Sequence, residues 1–209
     1  MADDRYKIQD EATLEHLVGK PFDFLIEKVA RKLNEPMKAF VEASSLAIVS
    51  TIDSNGRVDV SPKGDLPGFV QVDEEGNLLI PERVGNRLIF GFRNILRNGE
   101  IGLIFLAPHQ RETLRIKGTA TLHTDPDVLE AMAVKGRPAL LYTRVKVEEC
   151  FFHCGKALIR SHLWEPERWP EKRPSIVSAH RLLGKEAPDE EQARETDAAL
   201  ERSYADDLY

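Results

Sequence analysis

Short apolar segments joined by turn-length links constrain the fold of this chain more than any other feature. Residues 46–52 form a β-favouring run, which is followed by the turn signal Asp53-Ser54-Asn55-Gly56 and by a second run at 57–61. An Asn-Gly turn between two such runs is typical of a β-hairpin. Residues 68–72 and 77–81 repeat the pattern. Because parallel strands need long crossover links, these short links predict an antiparallel sheet.

Further strand and helix patterns extend the two hairpins. Apolar β-favouring runs predict strands at 100–107, 112–123 and 140–147, whereas apolar residues at helical spacing predict helices at 85–98 and from 125 to about 135. The pattern is mainly β with added helices (α+β), and it predicts a six-stranded antiparallel split β-barrel with helices inserted between strand pairs.

Helical segments are predicted on both sides of this barrel. Residues 1–45 are predicted to form a helical N-terminal extension, because apolar residues recur there at helical spacing and Pro36 suits the first turn of a helix. Residues 46–165 are predicted to form the split-barrel domain, and residues 166–209 a proline-rich segment with an acidic helical tail.

Composition and charge limit the partners that this chain can have. Of its 209 residues 42% are hydrophobic and 31% are charged, and the formal net charge is -6. These values are ordinary for a globular protein, and the acidic balance argues against a broad basic surface for nucleic acid. No apolar run approaches the roughly 18 residues of a membrane span, and the charged start lacks the apolar core of a secretory signal. We therefore expect a cytoplasmic protein.

The two cysteines predict neither a disulfide nor a metal site. Cys150 and Cys154 would lie ~13 Å apart along a strand, and on a helix they would point poorly toward each other. His153 between them adds a third possible ligand, but structural zinc needs four ligands, usually in two separated pairs. The sequence has no second cysteine pair.

Two polar segments in the first half of the chain are candidates for contacts with an anion or a ring. Lys63 ends a predicted strand, where it is either a solvated lysine or a charged partner for a phosphate or a flavin. Arg83, Asn86 and Arg87 lie at the predicted start of a helix, where unpaired N–H groups and the helix dipole favour an anion. An exposed loop with Asn86 as a helix cap explains the same residues.

Two further candidates lie in the second half of the chain. Arg115 alternates with other residues on a predicted strand and points either into a pocket or into solvent beside Lys117. Lys156, Arg160 and Trp164 recur at helical spacing, which is compatible with a site for an anion and a ring or with a charged helix face. The sequence contains no G-x-G-x-x-G, P-loop, H-E-x-x-H or G-x-S-x-G motif.

Taken in order, these segments resemble the pyridoxamine 5'-phosphate oxidase-like flavoproteins over about residues 40 to 170. The resemblance depends on the order and spacing of the stretches 46–51, 53–56, 60–65, 85–87, 94–98 and 101–106. Residues 114–120, Leu-Arg-Ile-Lys-Gly-Thr-Ala, are similar to the late barrel strand V-R-V-x-G-x-A of that superfamily. Residues 153–164 are similar to a narrower branch of FMN-dependent enzymes whose substrates are unknown.

The resemblance implies a homodimer that holds FMN in clefts at the subunit interface. In this chain, the residues that would line the flavin ring and its polyol chain are Val60, Ser61 and Lys63. The residues that would hold the phosphate are Arg83, Asn86 and Arg87. Thr113 and Arg115 match the late strand that reaches the flavin region. The C-terminal side, from the other subunit, would contribute Lys156, Arg160, Ser161 and Trp164.

Departures from the family pattern predict FMN binding without vitamin B6 oxidation. True pyridoxamine-phosphate oxidases carry an R-x-x-x-L-K strand, an S-R-K phosphate loop and a C-terminal W…R-L-x-P signature. Here the strand is Val58-Asp59-Val60-Ser61-Pro62-Lys63, the loop is Gly85-Asn86-Arg87, and the chain ends in a proline-rich and then acidic segment. We expect an FMN-dependent oxidoreductase of an unidentified small molecule, with no proton-transfer residue assigned.

Three alternatives to this enzyme stay open at the level of the sequence. One is a flavin-binding or redox-sensing protein with little turnover, which would not need a substrate-sized cavity over the flavin. Another is a split barrel that binds haem, for which His153 or His162 would be the axial ligands to test. The third is a split barrel that binds a deazaflavin, whose long acidic tail would call for a wider basic groove.

Overall fold

Seven antiparallel strands form one curled sheet in the computed structural model, which describes residues 4–85, 87–171 and 190–206. The strands are β1 (Leu46–Ile52), β2 (Val58–Gly64), β3 (Gln71–Val72), β4 (Leu78–Glu82), β5 (Glu100–Leu106), β6 (Thr113–His123) and β7 (Leu141–His153). They are hydrogen-bonded in the order β2-β1-β5-β6-β7-β4-β3. The predicted antiparallel split-barrel architecture is confirmed. The strand count is seven rather than six because the two residues of β3 pair with β4.

Seven α-helices are described around the sheet. They are α1 (Glu11–Val18), α2 (Asp23–Glu27), α3 (Glu35–Ala43), α4 (Phe90–Asn98), α5 (Pro126–Ala131), α6 (Lys156–Arg160) and α7 (Glu190–Asp206). The helix predicted at Pro36 is α3, and it begins there because the Asn34 side chain accepts a hydrogen bond from the Met37 N–H. The part of the chain that the structure describes contains no helix long and apolar enough to cross a membrane.

The core lies on the inner face of the sheet, where alternate residues of the strands are buried. In β5, for example, Ile101, Leu103 and Phe105 are buried, whereas their neighbours face outward. Helix α3 packs against β3 and β6, and helix α4 packs against β1, β2, β5 and β6. Two helices thereby cover parts of an otherwise half-open barrel.

The sheet curls until its two ends face each other across a gap. β2 is one edge of the sheet, and β4 lies next to the other edge. The two strands share no backbone pairing, but Lys63 contacts Glu82 at 2.6 Å and Asp65 contacts Arg83 at 3.1 Å. We call this gap between β2 and β4 the seam. Side-chain ion pairs, rather than a hydrogen-bonded ladder, therefore bridge the seam.

The two largest differences from the predicted boundaries concern α4 and β7. Helix α4 begins at Phe90 rather than at residue 85, because Arg87 has a positive φ of 58° that an α-helix does not allow. Strand β7 continues to His153 rather than ending at 147, since its last residues pair with β6 as far as Thr113. The segment that contains Cys150 is therefore a strand.

Both cysteines are free, as the sequence predicts. Cys150 is buried within β7, and Cys154 is exposed just after the end of that strand. The acidic tail helix is observed as α7, whereas most of the proline-rich segment before it lies outside the described residues. The division of the chain at residues 45 and 165 stays a prediction.

Candidate functional site

A cavity of about 410 Å³ opens at the seam. We call it the seam cavity, and its walls come from β1, β2, β4, the first turns of α4, and single residues of β5 and β7. The apolar residues of its lining are Val49, Val60, Pro62, Ile80, Leu88, Phe90, Phe92, Ile95 and Ile101. The polar and charged residues of its lining are Thr51, Asp59, Ser61, Lys63, Glu82 and Thr143. The cavity therefore combines apolar walls with a few polar groups, as small-molecule sites do.

Lys63 supplies the positive charge of this lining. It lies opposite Ala47 of β1, which is fully buried, so the alternation of β2 turns its side chain toward the inner face. Its Nζ donates to both carboxylate oxygens of Glu82, at 2.6 and 2.8 Å, and lies 5.1 Å from the centroid of the Phe92 ring. Lys63 is thus held by a charge on one side and an aromatic ring on the other.

The other two residues predicted on β2 also reach the seam cavity. Ser61 lies opposite the buried Val49 and faces inward with Lys63. Val60 has the opposite orientation and is 60% exposed, although it still contributes to the rim of the cavity. The structure therefore brings Val60, Ser61 and Lys63 to one cavity.

Two of the three residues predicted to hold a phosphate are described, and neither lines the seam cavity. The Arg83 side chain does not line the seam cavity, because its Nε donates to the buried carboxylate of Asp65. Asn86 lies outside the described residues. Arg87 is exposed and lies between Gly85 and Leu88, which both line the seam cavity. That Arg83, Asn86 and Arg87 hold a phosphate stays a prediction.

The remaining predicted residues lie away from the seam cavity of their own chain. Arg115 is opposite Ile104 on the outer face of the sheet, and its guanidinium lies 5.2 Å from the centroid of the Phe151 ring. Thr113 pairs with His153 at the end of β6. The C-terminal group is formed by Lys156, Arg160, Ser161 and Trp164, on and just after α6. None of these residues lines the seam cavity.

Two residues of the C-terminal group make hydrogen bonds to the backbone of their own chain. The Trp164 indole N–H donates to the Gln110 carbonyl at 2.7 Å, and the Ser161 hydroxyl donates to the Leu158 carbonyl at 3.0 Å. Lys156 and Arg160 are exposed one turn apart on α6. Each chain thus carries two separate sets of predicted site residues, one at the seam and one on the outer surface.

Two acidic residues of the seam cavity were missed at the sequence level. Asp59 alternates on β2 with Ser61 and Lys63, so the two-residue period of the strand would have placed it on the same face. Glu82 reaches Lys63 only because the sheet curls until β4 faces β2, and no local pattern indicates that approach. The charge at the site is therefore one lysine with two carboxylates.

The fold and the site define the class of this protein. It is a split barrel with a ligand-sized cavity at its open seam. Residues 33–154, more than half of the chain, match the family model described as pyridoxamine 5'-phosphate oxidase. The chain belongs to the pyridoxamine 5'-phosphate oxidase-like split-barrel family. No curated protein matches the chain.

The chain is also similar to solved structures at low sequence identity. HupZ of Group A Streptococcus is 22% identical over 57% of this chain and 93% of its own, with a TM-score of 0.45. A putative pyridoxamine 5'-phosphate oxidase of Lactobacillus delbrueckii is 22% identical over 58% of this chain and 95% of its own, with a TM-score of 0.45. HutZ, the heme storage protein of Vibrio cholerae, is 14% identical over 57% of this chain and 94% of its own, with a TM-score of 0.38.

The apolar residues of the seam cavity fit a planar ring system. The volume lies in the range of roughly 300–1,000 Å³ that is usual for small-molecule sites. Phe92 and Ile95 offer apolar surface to a ring. Asp59 and Glu82 disfavour an anion in the part of the cavity that they line.

Proposed function

We propose that this protein binds FMN in the seam cavity and is an FMN-dependent oxidoreductase of a small molecule other than vitamin B6. The observation that carries the proposal is a cavity with apolar walls in which Lys63, paired with Glu82, lies 5.1 Å from the centroid of the Phe92 ring. Membership of the pyridoxamine 5'-phosphate oxidase family supports a flavin as the ring system. FMN, when bound, supplies hydride and electron transfer.

Lys63 and Glu82 set the charge that the ring system meets. In a cavity of low dielectric, the Lys63 ammonium stabilises negative charge near it more strongly than it would in water. Glu82 offsets part of that charge, since both of its oxygens accept from Lys63. The exposed fractions of the two side chains, 22% and 19%, leave the pair reachable by a ligand.

Binding of the rest of the cofactor is assigned to groups around Lys63. The Ser61 hydroxyl can donate to or accept from the polyol chain, because it faces the cavity from the same strand. Arg87 can hold the phosphate with a forked pair of N–H groups. The apolar side chains of α4 exclude water from the ring.

We also propose that the working form is a homodimer in which each site is completed by the other chain. The outer face of the sheet exposes Ile52, Val58, Val60 and Ile104, which are 38% to 63% exposed. Arg115 lies on the same outer face, so it can reach a seam cavity only on another molecule. Size-exclusion chromatography with light scattering should give twice the mass of 23.6 kDa, and a monomer that retains FMN would contradict this part.

Haem and a deazaflavin are the competing cofactors, and each needs different groups from the residues of its site. A haem iron needs an axial ligand, and no histidine, cysteine, methionine or tyrosine is among the described residues that line the cavity. His162, one of the two candidates, instead interacts with Glu165 at 3.2 Å. A deazaflavin would need basic groups for its acidic tail.

The test is a visible absorption spectrum of the purified protein, recorded after FMN is added and the sample is desalted. We expect the two visible bands of a flavin to survive desalting. A Soret band after the same treatment with haemin, or retention of a deazaflavin but not of FMN, would overturn the assignment of FMN. Bleaching of the bands by an added electron donor, followed by reoxidation, would separate an oxidoreductase from a protein that only stores flavin.

A further inference from the structure

The first two helices of the described chain leave their apolar side chains exposed. Helix α1 is described in full, and none of its residues is buried. Eight described large apolar side chains between residues 6 and 26 are 38% to 83% exposed. Neither α1 nor α2 packs extensively on a described strand or helix. We call residues 4–27 the arm. So much exposed apolar surface marks an interaction site, because folded domains rarely leave it in water.

The apolar side chains of α1 form one face of that helix. Leu14, Leu17 and Val18 follow the three- and four-residue spacing of an apolar helix stripe. The helix begins with a side-chain cap, because the Asp10 carboxylate accepts from the Thr13 N–H at 2.8 Å. The stripe therefore lies on a locally stabilised helix, although its own barrel does not bury it.

The arm leaves the barrel beside outer-face residues that the proposed homodimer uses. Just after the arm, Ala30 exchanges backbone hydrogen bonds with Cys150 of β7, at 2.9 and 2.8 Å. The Lys28 ammonium lies 5.7 Å from the centroid of the Phe151 ring, and the Arg115 guanidinium lies 5.2 Å from the same centroid. Since Arg115 is proposed to reach the seam cavity of another molecule, the arm begins where that molecule would lie.

Residues 84–97, which we call the rim segment, form a surface of matching character. Two of its members, Leu88 and Phe90, line the seam cavity. Its exposed apolar side chains, which are 43% to 74% exposed, are Val84, Leu88, Ile89, Phe90 and Leu96. The rim segment contains three arginines and no acidic residue, whereas the arm contains six acidic and three basic residues. The two surfaces thus combine apolar groups with opposite net charges, as the two sides of an interface do.

We propose that the arm of one chain packs on the rim segment of a second copy of the chain, beside the seam cavity of that copy. The proposal rests on the homodimer of the proposed function, and it names surfaces that hold the two chains together. A stable interface takes about 20–30 residues from each partner, and the arm alone is of that length. The acidic balance of the arm disfavours an anionic membrane surface as the occupant instead.

The first test is the dissociation constant of the dimer, measured on the full-length protein by analytical ultracentrifugation over a dilution series. Leu17→Gln changes an arm residue that is 65% exposed in one chain, and Leu140→Gln makes the same change at a residue that is 58% exposed outside both surfaces. We expect Leu17→Gln to raise the dissociation constant at least about tenfold, because each copy loses one leucine that the contact buries. Leu140→Gln should stay within about twofold of the wild type, since surface changes away from a contact have small effects.

A chemical cross-link tests which two surfaces meet. One preparation carries Ala12→Cys on α1 and a second carries Leu96→Cys on α4, both with Cys154→Ser because Cys154 is exposed. After the two preparations are mixed and have exchanged subunits, a short bismaleimide should join them into a species of twice the mass of one chain. A control preparation with Glu130→Cys, at an exposed position of α5, should not be joined to the Ala12→Cys preparation.

Equal dissociation constants of the wild type and Leu17→Gln, or equal cross-linking of the Leu96→Cys and Glu130→Cys preparations, would overturn the proposal. If the wild type still dimerises in either case, the proposed homodimer stands and only the arm contact fails. A wild type that is monomeric throughout the dilution series would contradict both. Vesicle binding that Leu17→Gln abolishes without weakening the dimer would assign the arm to a membrane surface and overturn the proposal as well. The cross-link does not depend on the Leu17→Gln variant, whose fold is checked by far-UV circular dichroism.

Discussion

Replacement of Asp65 by alanine should destabilise the protein more than any change at its surface ion pairs. Asp65 directly follows β2 and Arg83 directly follows β4, so their ion pair bridges the seam. The two side chains are only 3% and 17% exposed, and the Nη1 of Arg83 is buried without a hydrogen-bond partner. Without the Asp65 carboxylate, a largely buried guanidinium charge would be left uncompensated.

The expected cost follows from that burial. Loss of one partner of a buried ion pair costs about 3–5 kcal/mol, whereas exposed pairs contribute about 0–1 kcal/mol. For a chain of this length, that loss corresponds to a fall in Tm of about 6–20 °C. The matched surface change is Glu149→Ala, because the side chains of Lys117 and Glu149 are 64% and 36% exposed. It should lower the free energy of unfolding by less than about 1 kcal/mol.

Urea unfolding followed by tryptophan fluorescence gives these free energies directly. The double variant Asp65→Ala/Arg83→Met removes both charges, and it should be more stable than Asp65→Ala alone. The reasoning is refuted if Asp65→Ala costs less than about 1 kcal/mol. It is refuted equally if the double variant is no more stable than the single one, since the cost would then come from Asp65's bonds to the backbone.

Three further predictions concern the sheet, the thiols and the response to acid. Gly118→Ala should lower the free energy of unfolding in urea by several kcal/mol, because the added Cβ would collide with the carbonyl oxygen of Lys146 on the neighbouring strand β7. Gly102→Ala should be tolerated, because the added Cβ has space there. Under native conditions Cys154 should be the one thiol that reacts quickly with a chromogenic disulfide, since burial excludes the other cysteine and raises its pKa; two fast thiols would contradict this. Burial opposes ionisation of Asp73, but hydrogen bonds and a nearby guanidinium outweigh it and lower its pKa below 3.8. Because the pKa of Asp73 is lower in the folded protein, its ionised carboxylate stabilises the fold above pH 3.8, and this stabilisation is lost as the pH falls through the lower folded pKa. Asp73→Asn should abolish that part of the pH dependence of urea unfolding.

The strands and most helices of this protein follow from local chemistry. The hairpin at residues 46–64 is predictable because alternation and an Asn-Gly turn act over a few residues. The start of α4 was misplaced because Arg87 adopts a left-handed conformation, for which a residue other than glycine gives no reliable signal. The length of β7 was underestimated because its last residues are fixed by pairing with β6.

The site is less predictable than the fold because it depends on how far the sheet curls. Lys63 was a candidate because it ends a predicted strand, and Val60 and Ser61 followed from the family resemblance. Glu82 joins them from the other end of the sheet order. Arg83 carries the guanidinium group that is typical of phosphate ligands. The curl of the sheet nevertheless places it against Asp65.

The measurement that tests the central claim most directly is a titration of FMN into wild-type protein and into Lys63→Met, followed by the change in flavin fluorescence. Lys117→Met is the matched control, since Lys117 also pairs with a glutamate but lies on the surface. We predict that Lys63→Met binds FMN at least about tenfold more weakly, because it loses a hydrogen bond to a charged group, while Lys117→Met binds like the wild type. Equal binding by all three proteins would place FMN outside the seam cavity, and no binding by the wild type would contradict the flavoprotein assignment itself.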